Sequence, residues 1–433
     1  MPDSPGKPQV VIVGAGFAGY NAARELSRRA GGRAEITVIN SADYFLYLPL
    51  MPQVTGGLVE PRHICVSLPA KLRGVRFVLG EVTHVDPRDQ TVHWDGPEGG
   101  TGQCGYDRLV LTAGSVNKLL PVPGLADYAH GFRSIAEAIF LRDHITRQLE
   151  LAAVASDAVT RDARCTFVVV GAGYTGTEVA AQGQLLTTRL ASRLPGLAGQ
   201  RIRWLLIDTA DRLLPELDPH LSATADRVLR RRGVEVRPGQ SVKEALADRV
   251  HLSTGEEVPT RTLIWCVGVR ADPLVDGIDL ATSKGRLVVD KYMAVPGAEN
   301  IWACGDCAAV PDLTRPGEVC GMTAQHAQRQ GKQVARNVAA SLGTGTAQPY
   351  RHHDLGFLVD LGGTEAAANP LRIPLSGPLA NAVTRGYHLT AMAGNRGRVL
   401  GDWAQNAVMP AQSASFGLVD AKSVPLDPDH PRG

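Results

Sequence analysis

Gly14-Ala15-Gly16-Phe17-Ala18-Gly19 and Gly171-Ala172-Gly173-Tyr174-Thr175-Gly176 are two copies of one signature in a single chain. Each follows an apolar, β-branched run (residues 10–13 and 167–170), and each opens onto a helix-like stretch carrying alanine and glutamate. A strand that turns through glycines into a helix sets backbone N–H groups and the positive end of the helix dipole against a pyrophosphate. The first glycine makes the tight turn, the second admits the phosphates, and the third lets helix and strand pack closely. One such loop is weak evidence. Two in matching contexts imply two dinucleotides on one protein, and the usual reason is electron transfer between them.

The two halves repeat more than their glycines. After the first loop the pattern predicts a helix over 20–30, a strand over 35–40 and a β-meander (75–85, then 91–94), ending in Leu109-Val110-Leu111-Thr112-Ala113-Gly114. After the second it predicts a helix over 177–194, a strand over 201–208, a helix over 219–232 and a second meander over 242–252. That half ends in Leu263-Ile264-Trp265-Cys266-Val267-Gly268. A short strand, Asn300-Ile301-Trp302-Ala303-Cys304-Gly305-Asp306, and a long helix over 323–342 then return to the first half. The fold class is α/β: two Rossmann-like domains, the second inserted in the first, each with a small antiparallel meander, plus a C-terminal α+β segment. The expected boundaries are 8–120 and 276–349 for the first domain, 121–275 for the second and 350–420 for the C-terminal segment. Residues 421–433 read as a disordered, proline-rich tail.

Composition narrows the class. A chain of 433 residues, 44% hydrophobic and 20% charged, supports two or three domains with real cores. A net charge of +2 gives no reason to expect nucleic acid, and Arg230-Arg231-Arg232 before Gly233 reads as a solvated helix end. Seven scattered cysteines fit a reducing compartment. The polar start runs straight into the first strand, so no signal peptide is expected, and no apolar run reaches the roughly 18 residues of a membrane span. The expectation is a cytoplasmic protein whose membrane contact is peripheral at most. His352-His353-Asp354 alternate across a strand, so no metal site is predicted.

With Thr112-Ala113-Gly114 and Gly305-Asp306 added, the chain resembles the two-dinucleotide flavoprotein reductases of the pyridine nucleotide-disulfide oxidoreductase type. Three narrower features resemble the type II NADH dehydrogenases, the non-pumping NADH:quinone oxidoreductases. They are Gly176-Thr177-Glu178, Ala324-Gln325-His326-Ala327-Gln328-Arg329-Gln330-Gly331, and Gly386-Tyr387-His388-Leu389 with Asp402-Trp403. The likeness covers residues 8–420.

It implies non-covalent FAD on Gly14, Gly16, Phe17, Ala18, Gly19, Asn40, Thr112, Ala113, Gly114, Gly305 and Asp306, with Asp306 on the ribityl chain. Asn40 departs from the acidic residue the family places there. NADH falls to Gly171, Gly173, Tyr174, Thr175, Gly176, Asp208 and Gly268. A carboxylate at Asp208 accepts from a ribose 2′-OH and repels a 2′-phosphate, while Arg212 leaves NADPH as a second coenzyme. Glu178 reads either as a helix-stabilising acid of the first turn or, as the resemblance implies, as a group beside the nicotinamide. Met322, Thr323, Ala324 and Gln325 would aim a helix N-terminus at the reduced flavin ring.

Gln325, Gln328 and Arg329 share a helical face. Gln325 matches the first of two family glutamines lining the quinone site, and Arg329 stands where the second is expected. Glu178, Gln325 and Arg329 are thus the candidate catalytic residues. Cys304 and Cys307 read as a structural pair, since the loop after the first motif carries no cysteine pair of the kind disulfide reductases keep there. Residues 379–408 mix Val383, Tyr387, Leu389, Met392, Leu400, Trp403, Val408 and Met409 with Arg385, Arg396 and Arg398, which suits a membrane interface or a homodimer interface equally. The implied function is hydride transfer from NADH to flavin and two electrons to a quinone. A soluble NAD(P)H-dependent flavoprotein reductase acting on a metabolite or carrier protein, and a slow dinucleotide-sensing interaction protein, stand as alternatives.

Overall fold

The computed structural model describes residues 6–353, 355–409 and 414–427, in two compact units. Unit 1 is Met1–Leu46, Cys65–Val116 and Val269–His353; unit 2 is Tyr47–Ile64, Asn117–Gly268 and Asp354–Gly433. The C-terminal segment, expected as a region of its own, belongs to unit 2, and so does the stretch Tyr47–Ile64.

In unit 1 the strand Gln9–Val13 is buried almost throughout, as a continuous apolar run in a parallel sheet must be. It pairs in parallel with Glu35–Asn40 on one side and Arg108–Leu111 on the other. Ala298–Ala303 adds in parallel beyond Arg108–Leu111, with Ala294–Val295 antiparallel at the edge. Val13 and Ala303 both register on Leu111, so the first glycine loop, Thr112-Ala113-Gly114 and Gly305-Asp306 leave the same end of three adjacent strands. That is where open parallel sheets bind ligands. The helices Phe17–Ala30 and Ala324–Ser341 pack along each other. Gly331 permits their approach: a Cβ there would lie 2.1 Å from the Ala18 carbonyl oxygen.

The run 75–85, read as one arm of a meander, divides at Gly80. Arg76–Leu79 joins the main sheet in parallel with Glu35–Asn40, and only Glu81–Asp86 enters the antiparallel meander with Thr91–Asp95 and Thr101–Gly105. A Cβ at Gly80 would lie 2.4 Å from the Trp94 ring, so the corner needs glycine.

Unit 2 carries a five-stranded parallel sheet in the order Ala129–His130, Thr262–Trp265, Thr166–Val170, Arg203–Ile207, Val234–Arg237. Its meander is Val242–Ala245, Arg249–Leu252 and Glu257–Pro259. The helix Ile135–Ala153 was not read from the sequence, although Ser134-x-x-Glu137 is a full capping box in the structure. The short helix Met51–Thr55 packs on it and on Tyr174–Ala191. Three antiparallel strands, Leu358–Asp360, Ala366–Ala368 and Leu375–Ser376, lead into the helices Gly377–Ala391 and Arg396–Val408. These break at Asn395, whose φ is +60°. Of the stretch expected to be disordered, Ala421–Ser423 forms a 3-10 turn and Leu426 is 2% exposed in the core with Val168, Leu205 and Trp265. Residues 428–433 lie outside the described residues.

Candidate functional site

The two glycine loops are built alike. Gly14 and Gly171 have φ of +85° and +102°, conformations a side chain resists. Their amides donate to the carbonyls of Ile39 and Ile207 in the neighbouring strand, each at 2.8 Å. A Cβ on Gly14 would lie 2.4 Å from the Thr112 oxygen, and one on Gly171 would lie 2.3 Å from that of Cys266. A Cβ on Gly19 or Gly176 would fall within 2 Å of the first glycine's oxygen in its own loop, 1.9 and 1.8 Å. Gly16 and Gly173, by contrast, have nothing within 4 Å of that position, so the middle glycine is left open. Both are N-cap residues with no side-chain cap and no acid in the first turn. With glycine at both N-caps, no capping side chain covers the start of either helix, as suits a site for a pyrophosphate.

A residue at the close of each second strand, Asn40 as the last of Glu35–Asn40 and Asp208 just after Arg203–Ile207, braces its loop. Asn40 Oδ1 accepts from the Ala15 N–H at 2.8 Å, and Asp208 Oδ2 accepts from the Ala172 N–H at 2.5 Å. Asn40 Nδ2 donates to Ala42, and Asp208 Oδ1 accepts from Ala210. One acceptor in the same place does the same job twice. The missing carboxylate at position 40 therefore costs the first loop no bond. Arg212, weighed as a 2′-phosphate partner, instead donates to the Pro215 and Leu217 carbonyls.

In unit 1, Thr112 Oγ1 donates to the Val13 carbonyl, and Gly114 turns at φ +83°. Gly305 turns at φ +76°, its N–H donating to Gln330 Oε1, and Asp306 accepts from Ser115 Oγ at 2.6 Å. Cys304 and Cys307 are free thiols; burial pushes both up, Cys307 to about 11. Such thiols are inert at neutral pH. Thr323 caps the late helix by accepting from the His326 N–H, and Ala324 is its first residue. Gln325 and Arg329 are half-buried on that helix, and the Arg329 guanidinium donates to the His353 carbonyl.

In unit 2, Phe357 stacks on Tyr174, Thr175 is exposed, and Gly268 turns at φ +72° after Cys266. Glu178 is not a first-turn acid, because the helix starts at Tyr174 rather than at Thr177. It points into packed protein and keeps only part of its surface accessible. Its Oε1 accepts from the Asp360 N–H at 2.8 Å. Burial, then the neighbouring Asp360 carboxylate, push Glu178 well above the ordinary range. Among the described residues no group of His, Cys, Asp or Glu could hold a metal ion.

Residues 8–331 match the family model for pyridine nucleotide-disulphide oxidoreductases. The type II NADH:quinone oxidoreductase NdhA of Mycobacterium tuberculosis is 31% identical over 91% of this chain and 85% of its own. The demethylphylloquinone reductase NdbB of Synechocystis is 30% identical over 92% and 98%. The chain belongs to the type II NADH:quinone oxidoreductase family. In fold it is similar to the structure of NDH2 from Plasmodium falciparum in complex with NADH, with a TM-score of 0.88 at 17% identity over 94% of this chain and all of that one.

Sequence reasoning about this family member missed the polar surroundings of Glu178. Asp360 and Gln53 are remote in sequence, and Trp403, taken for an interfacial anchor, is 7% exposed and donates to Gln53 Oε1. Met392 is likewise buried. The only advance signal was Asp360 itself, a carboxylate in an otherwise apolar strand.

Proposed function

We propose that this protein oxidises NADH with a non-covalent FAD and delivers the two electrons to a quinone without moving ions across a membrane. The carrying observation is the pair of glycine loops, each open at its middle glycine, braced at the residue between its first two glycines, and free of a side-chain cap. FAD, when bound, supplies the two-electron chemistry that joins hydride donor to quinone. Unit 1 would hold it through the first loop, Asn40, Thr112, Ala113, Gly114, Gly305 and Asp306. Unit 2 would hold NADH through the second loop, Gly268 and Asp208, whose charge disfavours a 2′-phosphate; NADPH is the weaker donor. Glu178 orients the nicotinamide. Gln325 and Arg329 donate to the quinone oxygens, and the N-terminus of their helix favours negative charge beside it. Proximity and orientation supply most of the acceleration.

Steady-state assays with NADH, NADPH and a soluble quinone test this. Quinone-dependent NADH oxidation is expected; NADH consumption indifferent to quinone overturns the acceptor.

Among the described residues no helix is long and apolar enough to cross a membrane. We assign a peripheral contact to the exposed Leu379, Leu400, Val408 and Met409, with exposed Arg398 near anionic headgroups. Flotation with anionic vesicles is expected, and Leu400→Glu should weaken it. A protein that stays off vesicles and sediments as a dimer would give that face to a second copy instead.

A further inference from the structure

Two carboxyl groups meet in unit 2, on elements far apart in sequence. Glu178 lies in the second turn of Tyr174–Ala191, and Asp360 ends the strand Leu358–Asp360. The contact runs from the Asp360 backbone N–H to Glu178 Oε1, at 2.8 Å. Neighbouring carboxyl groups in packed protein oppose each other's ionisation, so one negative charge on the pair is favoured over two. The hydrogen bonds decide which member carries it.

Asp360 accepts at both oxygens. Oδ1 takes the Gly362 N–H at 2.7 Å; Oδ2 takes Gln53 Nε2 at 2.7 Å and Gln182 Nε2 at 3.2 Å. The Gln53 amide has no freedom to turn round. Trp403 Nε1, which can only donate, bonds Gln53 Oε1 at 2.6 Å and leaves the NH2 for Asp360. A carboxyl group receiving three N–H donors is favoured as the anion. Glu178 accepts one backbone N–H from its partner. One helical turn on, Gln182 Oε1 is buried without a donor, the kind of acceptor a protonated glutamic acid could serve. The charged groups facing the pair are Arg385, on Gly377–Ala391, and Arg232, after Pro219–Arg231, and both act on Asp360. Met51–Thr55 contributes only the uncharged Gln53, and Tyr174–Ala191 the uncharged Gln182.

The structure assigns Asp360 as a positioning residue: it holds the pair's negative charge and so keeps Glu178 a neutral acid, able to donate a hydrogen bond as well as accept one. This rests on the reading of Glu178 as a catalytic group. Burial raises Asp360 too, but Gly362, Gln53 and the two arginines oppose that rise, whereas at Glu178 burial and the Asp360 carboxylate are opposed only by the single Asp360 N–H.

The test is a carbon-13 NMR titration of side-chain carboxyls in the FAD-loaded full chain, with Glu178→Gln identifying the Glu178 signal. Glu178 should be protonated at neutral pH. Asp360→Asn should lower its midpoint by about one pH unit or more, a tenfold change in proton affinity. Gln182→Leu, which removes one donor from Asp360, should lower it by less; it carries the test if Asp360→Asn does not fold. A Glu178 ionised at neutral pH in the native protein, or a midpoint unmoved by both variants, overturns the assignment. Because the titration needs no acceptor, a protein that reduces no quinone yet shows the shift refutes the proposed acceptor and leaves the pair standing.

Discussion

The two glycine loops differ at one chemically important position. Both are held by a bond from the residue between the first two glycines to the end of the second strand, but the acceptor is an amide in unit 1 and a carboxylate in unit 2. The bond, not the charge, is what the loop conformation needs. The charge is then left for the ligand, where it separates a free 2′-OH from a phosphate. A strand-end acid, commonly read as the mark of a nucleotide loop, thus serves two purposes that this chain separates.

The largest effects should come from the third glycines. Gly176→Ala drives a methyl into the Gly171 carbonyl, and NADH affinity should fall at least 100-fold, about 2.7 kcal/mol, while FAD stays bound. Gly19→Ala should do the reverse, losing FAD and sparing NADH binding to unit 2. Isothermal titration with NADH and flavin content after desalting read both. If either substitution removed both dinucleotides, the loops would not be independent sites.

The edge strands of the two sheets also contrast. Val234–Arg237 of unit 2 carries Glu235, bonded by Arg203 at 3.0 Å and Arg237 at 2.8 Å. Burial would raise its carboxyl, but these arginines outweigh burial and hold it at about 2. Among the described residues no ion pair ties down Arg76–Leu79, its counterpart in unit 1. A lowered folded-state value gives stability that is full above the unfolded value of about 4.3 and is lost as pH falls toward 2. Glu235→Gln should therefore cost about 2 kcal/mol at pH 7, with the gap to the native protein closing between about pH 5 and pH 2. Denaturant melts across that range check it; a gap constant with pH contradicts it.

Asp208→Asn converts the second brace into a copy of the first. The Ala172 bond should survive, but the preference for NADH over NADPH in kcat/KM should fall about tenfold, roughly 1.4 kcal/mol. Asp208→Ala should also weaken NADH binding, because the brace goes with it. The smallest effect belongs to Asn40→Asp, which should change FAD affinity by no more than a few-fold, since the loop already has its acceptor.

Much of this fold was legible because its signals are local. Glycines with positive φ, β-branched runs and the Gly305-Asp306 strand end each state their own conformation. What was not legible depends on distant packing. Gly80 has no room for a side chain because Trp94 fills the corner, so the division of the run 75–85 is invisible until the meander closes on it. Glu178 was recognisable, but its situation was not: Asp360 bonds it, Gln53 bonds Asp360 and Trp403 bonds Gln53, all from distant segments, and Trp403 alone reads as a surface anchor. Leu426 shows the same limit, an apolar residue in a proline-rich stretch that is buried in the core of unit 2.

The central claim is that each loop binds one dinucleotide and that electrons pass from one to the other. Anaerobic titration of the purified, yellow protein with NADH, followed by flavin absorbance, measures it most directly. The account predicts bleaching complete at one NADH per flavin and recovery of colour on adding a quinone. A protein that binds no flavin, or whose flavin keeps its colour in excess NADH, would contradict it.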